Sequence, residues 1–208
     1  MVKEFYDYAE KLYSYCPYLK KSKSKDLLDS KRVIFYSEKD DEYSKKIFYE
    51  CLIETERFRI KRRTLDMKDC PYYSLNIVFD SKFEKNYNWE EIISWPHYML
   101  QYLYSKEQIM FGKFWKGEKT KSRITNKIIP ESNINFISIR TAIKERDPKL
   151  LFESIEIKKI IESSYMSTRD VNFDYFKKSI FDMNKQELYD SGYYEYLKKY
   201  LTEKLLKS

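Results

Sequence analysis

The alternation of residues 136–143 constrains the fold more than any other feature of this sequence. Phe136, Ser138, Arg140 and Ala142 fall on one side, and Ile137, Ile139, Thr141 and Ile143 on the other, which is the period of two expected of a strand. The preceding run Ile-Met-Phe-Gly-Lys-Phe-Trp from Ile109 reads as its neighbour, so the two form the inner pair of a sheet. Arg140 then stands on the face opposite the isoleucines, where a charge requires a partner.

The other elements follow from spacing and punctuation. Residues 3–14 carry Phe5, Ala9 and Leu12 at helical intervals, and Cys16-Pro17 ends that helix ahead of a lysine-rich loop. Arg32 to Tyr36 reads as a short strand. Asp40 opens a helix to about Phe58, and Tyr73 to Phe79 alternates as a strand. Asn88 caps a helix from Trp89 to about Tyr104, in which Pro96 predicts a kink or a division into two pieces. The connection 116–133 is long for a structureless loop and is the first place to expect a site. Pro148 starts a short helix, residues 155–165 and 170–182 read as helical pieces, and a last helix runs from Gly192 with Tyr193, Tyr196, Leu197, Tyr200 and Leu201 on one face. The fold class is α+β, with a mixed or antiparallel sheet of about four to five strands covered by helices and a helical C-terminal part.

Composition bounds the rest. The 208 residues favour one domain spanning 1–208, and 42% hydrophobic with 35% charged residues is the make-up of a folded chain. No run approaches the roughly 18 apolar residues of a membrane span, and the N-terminus lacks an apolar signal core, so a cytoplasmic protein with three reduced cysteines is expected. Forty basic against 33 acidic residues, interleaved with 21 tyrosines, fit either an RNA-binding surface or the coding bias of an A/T-rich genome. The basic runs are Lys20, Lys21, Lys23, Lys25 and Arg57, Arg59, Lys61, Arg62, Arg63.

A single histidine excludes two-histidine metal sites, and three glycines without a phosphate-loop or dinucleotide fingerprint disfavour nucleotide chemistry. His97, between Trp95 and Tyr98, is either a haem ligand or a packed imidazole. Cys16-Pro17-Tyr18 recurs as Cys70-Pro71-Tyr72, and Cys16 is either a thiolate ligand or part of a chance repetition. Arg140 either clamps a substrate carboxylate or pairs with Glu118, Glu131 or Asp147; Arg123 in the long loop is the natural second cation. Gly112, ahead of Phe114 and Trp115, marks either a close approach of a ligand or relief of crowding against the helix from Trp89. The first alternative places Arg140 in a pocket roofed by the 116–133 loop.

The order Cys16-Pro17-Tyr18, the strand at Val33 to Tyr36, Leu75 to Asp80, Met110-Phe111-Gly112-Lys113-Phe114 and Ile137-Ser138-Ile139-Arg140 with Asp147 and Leu150 resembles an uncharacterised bacterial domain family found near biosynthetic genes. Trp115 and Thr141 stand where that family often has histidine. More distantly the layout is similar to the YqcI/YcgG group, which includes haem-dependent N-oxygenases. That likeness implies a haem-dependent oxygenase of specialised metabolism acting on a small amino-acid-like or guanidine or amine substrate, with His97 or Cys16 as metal ligand, Gly112, Phe114 and Trp115 beside the cofactor, and Arg140 and Arg123 on the substrate. The alternative is a binding module whose basic, tyrosine-rich loops contact RNA or another polyanion; a homo-oligomer is compatible with either.

Overall fold

The strands β1 (Leu28–Phe35), β2 (Ser74–Ser81), β3 (Ile109–Phe114) and β4 (Asn135–Thr141) form one sheet in the order β1-β2-β4-β3. The pair β1 and β2 is parallel, whereas β4 runs antiparallel to both β2 and β3, so the sheet is mixed and the class is α+β. The inner strands are β2 and β4, and β3, expected inside, is an edge. These elements come from a computed structural model that describes residues 2–36, 40–81, 87–119, 121, 126–143, 147 and 175–206.

Parallel neighbours need a crossover, and α3 (Asp40–Arg63) supplies it between β1 and β2. The first face of the sheet carries Val33 and Phe35, then Leu75, Ile77 and Phe79, then Ile137 and Ile139, then Ile109 and Phe111, all buried beneath α3, α4 (Trp89–Tyr104) and the C-terminal helix α6 (Tyr193–Leu205). On the second face lie α1 (Val2–Lys11) and α2 (Pro17–Ser24), where Phe5, Tyr8, Ala9 and Leu12 pack on Leu28, Val78, Ile134 and Phe136.

Several boundaries differ from expectation for local reasons. Helix α1 stops at Lys11, short of the expected residue 14 and ahead of a turn, and Pro17 occupies the first position of α2, where its missing N–H costs nothing, so the lysine-rich stretch is a helix and not a loop. The first strand is longer than Arg32 to Tyr36, because β2 pairs with it from Leu28 onward. Helix α3 continues past Phe58 to Arg63 because its basic residues turn inward. Arg59, 2% exposed, bridges Glu56 at 2.9 Å and Glu107 at 3.1 Å, and Arg62 donates to the carbonyls of Glu107 and Gln108. At the C-terminal end Gly192, at φ +71, separates α5 (Lys185–Asp190) from α6. Tyr193, Leu197 and Leu201 of α6 are buried while Tyr196 and Tyr200 are exposed, a narrower stripe than the spacing suggested. Residues 175–182 form turns and not helix, and the expected pieces at 155–165, 170–174 and from Pro148 lie outside the described residues. Among the described residues, no helix is long and apolar enough to cross a membrane.

Pro96 neither divides nor ends α4. A proline withholds the N–H that would reach the carbonyl four residues earlier, here Ile92. The Ser44 hydroxyl of α3 donates to that carbonyl at 2.9 Å, so the helix stays continuous and the two helices are tied together. Ser44→Ala is expected to cost about 1 kcal/mol in urea denaturation. In a Pro96→Ala background, where the helix supplies its own donor, the same change should cost measurably less; equal costs in both backgrounds would show that the bond is idle.

Candidate functional site

The register of the sheet writes the second face as three rows. Val78, Phe136 and Phe114 stand side by side; next come Asn76, Ser138 and Gly112; then Ser74, Arg140 and Met110. The first row is apolar and filled, with the Phe114 and Phe136 rings stacked at 4.4 Å. The middle row is small and polar, and above it a cavity of about 270 Å³ remains. Phe5 and Ala9 of α1, Leu12 in the turn after it, and Tyr18, Leu19 and Ser22 of α2 line it from above. Most of its wall is therefore hydrocarbon, and its polar atoms are concentrated on the strand floor.

On that floor, Asn76 is 2% exposed and its Nδ2 donates to the Asp29 carbonyl at 3.0 Å and to Ser74 Oγ at 3.3 Å. Ser74 and Ser138 are in turn linked, oxygen to oxygen, at 3.4 Å. Gly112 is closely approached: a Cβ there would lie 3.1 Å from the Phe114 ring, which folds back over the strand. The crowding is thus with its own strand's aromatic ring on the cavity side, while α4 packs on the other face.

Arg140 closes one end of the cavity, and its guanidinium fork is filled by Asp147, Nη1 and Nη2 each reaching one carboxylate oxygen at 2.7 Å. Asp147 is fully buried and also accepts from the Ile143 N–H. Burial works against the charge of Arg140, but the bonds and charge of Asp147 outweigh it and hold the guanidinium pKa above its ordinary value. The bidentate clamp expected for a substrate carboxylate is therefore made within the protein.

Of the sequence-derived site residues, the structure brings Cys16, Gly112, Phe114 and Arg140 to this cavity. His97 and Trp115 lie on the other face. The alternation that puts Gly112 and Phe114 on one side puts Lys113 and Trp115 on the opposite one, and the Lys113 ammonium sits 5.7 Å from the Trp115 ring. Among the described strands β3 is an edge, and its Phe111 carbonyl accepts from His97 Nε2 at 2.9 Å and from Gln101 at 3.4 Å. Arg123 lies outside the described residues. None of the described residues of the 116–133 connection lines the cavity: Gly117 N–H bonds to the Ser132 carbonyl, Lys121 bridges Ile128, and the Tyr8 hydroxyl ties the loop to α1 through Pro130 at 2.9 Å. The roof is α1 and α2.

The two Cys-Pro-Tyr triplets meet in space. Each begins a helical turn with proline near its start, Tyr18 and Tyr72 are 5.9 Å apart, and Pro71 joins the cavity wall beside Cys16. Cys70 itself is buried, its thiol directed at the carbonyls of Arg62 and Asp66. The basic runs are largely absorbed as well. Lys61 pairs with Asp29 at 2.7 Å and Arg57 with Glu54, Lys25 pairs with Asp69, and the ammonium groups of Lys21 and Lys23 lie over the Tyr72 and Tyr6 rings.

A haem does not fit these residues. Cys16 and His97 are separated by the sheet, and His97 Nε2 is committed to a backbone carbonyl. The cavity beside Cys16, about 270 Å³, falls below the roughly 300–1,000 Å³ of clefts for drug-sized ligands, and a porphyrin is larger than a typical drug. The floor residues that the sequence did not single out for the site are Ser74, Asn76 and Ser138. With Gly112 they hold small or polar in-register positions on three strands, a signal that emerges only once the register is known. Comparison with protein-family models, with curated proteins and with solved structures gives no significant match.

Two predictions follow from these contacts. Arg140→Lys keeps the charge but loses the fork, and Arg140→Met strands a buried carboxylate; urea midpoints should fall for both, by about 3 kcal/mol for the methionine variant. Unchanged midpoints would contradict a pairing role. His97 is held neutral, its pKa pushed by burial from 6.5 down to about 4. Between those values the unfolded chain binds more protons than the folded one, so stability is complete above about pH 6.5 and declines as pH falls toward 4, by on the order of 2–3 kcal/mol. In His97→Gln, which retains a donor but does not titrate, that slope should flatten; a slope identical to that of the unaltered protein would remove His97 as its source.

Proposed function

We propose that this protein binds a small, mostly apolar molecule in the cavity between α1, α2 and the β2-β4-β3 surface. One observation carries the reading. Beside the packed row of Val78, Phe136 and Phe114, the row Asn76, Ser138 and Gly112 carries only small or polar residues, and a cavity of about 270 Å³ lies above it. Interiors pack to the density of organic crystals, so an unfilled volume of this size is stabilised by an occupant. Its make-up, apolar walls with a few converging polar atoms, is that of a ligand site. An amino-acid-like substrate gripped by Arg140 is disfavoured because Asp147 already fills the fork. A guanidine substrate would meet no carboxylate among the residues that line the cavity. A polyanion reading has no comparable support, since Arg57, Arg59, Lys61 and Arg62 are paired within the fold.

Benzene is a suitable first probe, because dry apolar cavities take it up without specific contacts. Methyl-detected NMR titration should shift the signals of Leu12, Leu19 and Met110, which line the cavity, and leave those of the α3–α6 core in place. Ala9→Leu, which fills the space from α1, should abolish the shifts while the variant remains folded. Shifts that are absent, or that persist unchanged in Ala9→Leu, would refute the site.

A further inference from the structure

We infer that the molecule held in this cavity is uncharged and carries a carboxamide as its polar head, with an apolar body between α1 and α2; this rests on the small-molecule reading above. Asn76 uses both hydrogens of its side-chain nitrogen within the protein, one on the Asp29 carbonyl and one on Ser74 Oγ. What the Asn76 amide leaves for the cavity it lines is its carbonyl oxygen, an acceptor. Ser74 Oγ accepts from Asn76 and lies 3.4 Å from Ser138 Oγ, a link in which either hydroxyl can donate. With Ser74 donating in that link, the Ser138 hydroxyl hydrogen is left for the cavity that both residues line beside Gly112.

Asn76 and Ser138 face each other directly across β2 and β4, and side chains so paired stand about 5 Å apart. A donor and an acceptor at that separation converge on a group that offers both complements from adjacent atoms. A carboxamide does so, its oxygen accepting from Ser138 and its N–H donating to Asn76. A ketone satisfies only the first, leaving a nearly buried amide oxygen of Asn76 unmatched, and a mismatch of that kind is where discrimination between isosteres arises.

Charge argues the same way. The ionised pair at the cavity end, Arg140 with Asp147, is internally neutral, and the other described lining side chains are apolar, hydroxylic, amide or thiol. A carboxylate or ammonium ligand would be desolvated here with no opposite charge waiting for it, whereas a neutral amide would have its polar atoms matched.

The test compares hexanamide, 2-heptanone and hexanoate, which share chain length and shape, with benzene as the apolar reference, by calorimetry and methyl NMR at neutral pH. Hexanamide is expected to bind about tenfold more tightly than 2-heptanone and more tightly still than hexanoate. Ser138→Ala should weaken hexanamide by about tenfold relative to benzene measured on the same variant. If hexanoate equals or exceeds hexanamide, if 2-heptanone matches it, or if Ser138→Ala leaves amide binding unchanged while benzene still binds, the carboxamide assignment is wrong and the cavity reading stands. If no probe binds, benzene included, both fall.

Discussion

Side chains alternate across a strand, and four strands held in one register turn that alternation into two faces of different character. Val33, Ile77, Ile137 and Phe111 and their neighbours make the first face a continuous apolar surface that α3, α4 and α6 cover. Each such side chain contributes about 1.5–3 kcal/mol on full burial, so a slip of one residue in any strand would expose a set of them and is strongly disfavoured. The second face inherits whatever the alternate positions hold. On it an apolar row, a small polar row and a row with an arginine lie side by side, and only the apolar row is packed shut.

Charge is accommodated by pairing rather than by exposure. Arg59 bridges Glu56 and Glu107, Tyr104 donates to Glu56 at 2.7 Å, and Arg140 holds Asp147. Buried ion pairs of this kind add little net stability over a hydrophobic alternative, but losing one partner is severe. They therefore act as fixed registration points between elements: α3 to the entrance of β3, and β4 to the chain that follows it. The polar contacts at His97 and Ser44 work similarly on α4, one closing the open edge of β3 and the other supplying the donor that Pro96 withholds. Residues with the most chemically suggestive side chains thus turn out to be tied into structure, and the cavity is lined by plainer ones.

Much of the fold was legible in the sequence because it depends on short-range periodicity. The alternation of Leu75, Ile77 and Phe79, the cap at Asn88 and the apolar intervals of α1 and α3 each report on neighbours a few residues away. The boundaries that escaped depend on distant partners: α3 runs to Arg63 because Glu107 and Gln108 receive its arginines, and Lys20 to Ser24 are helical because α2 packs on the sheet. For the site, the odd placement of Arg140 and the glycine at 112 were visible as local irregularities. Asn76 and Ser138 were not, since each alone is an ordinary polar residue in a strand.

The sequence by itself determined the α+β class, the two-sided character of the strands and the side on which Arg140 stands, because a period of two leaves no other choice. Only the tertiary structure decided the strand order, the fork between Arg140 and Asp147, the separation of His97 from Cys16 and the roof of α1 and α2. Those depend on register and on which elements pack together, and both are set by the summed burial of residues far apart in the chain, which no local pattern records.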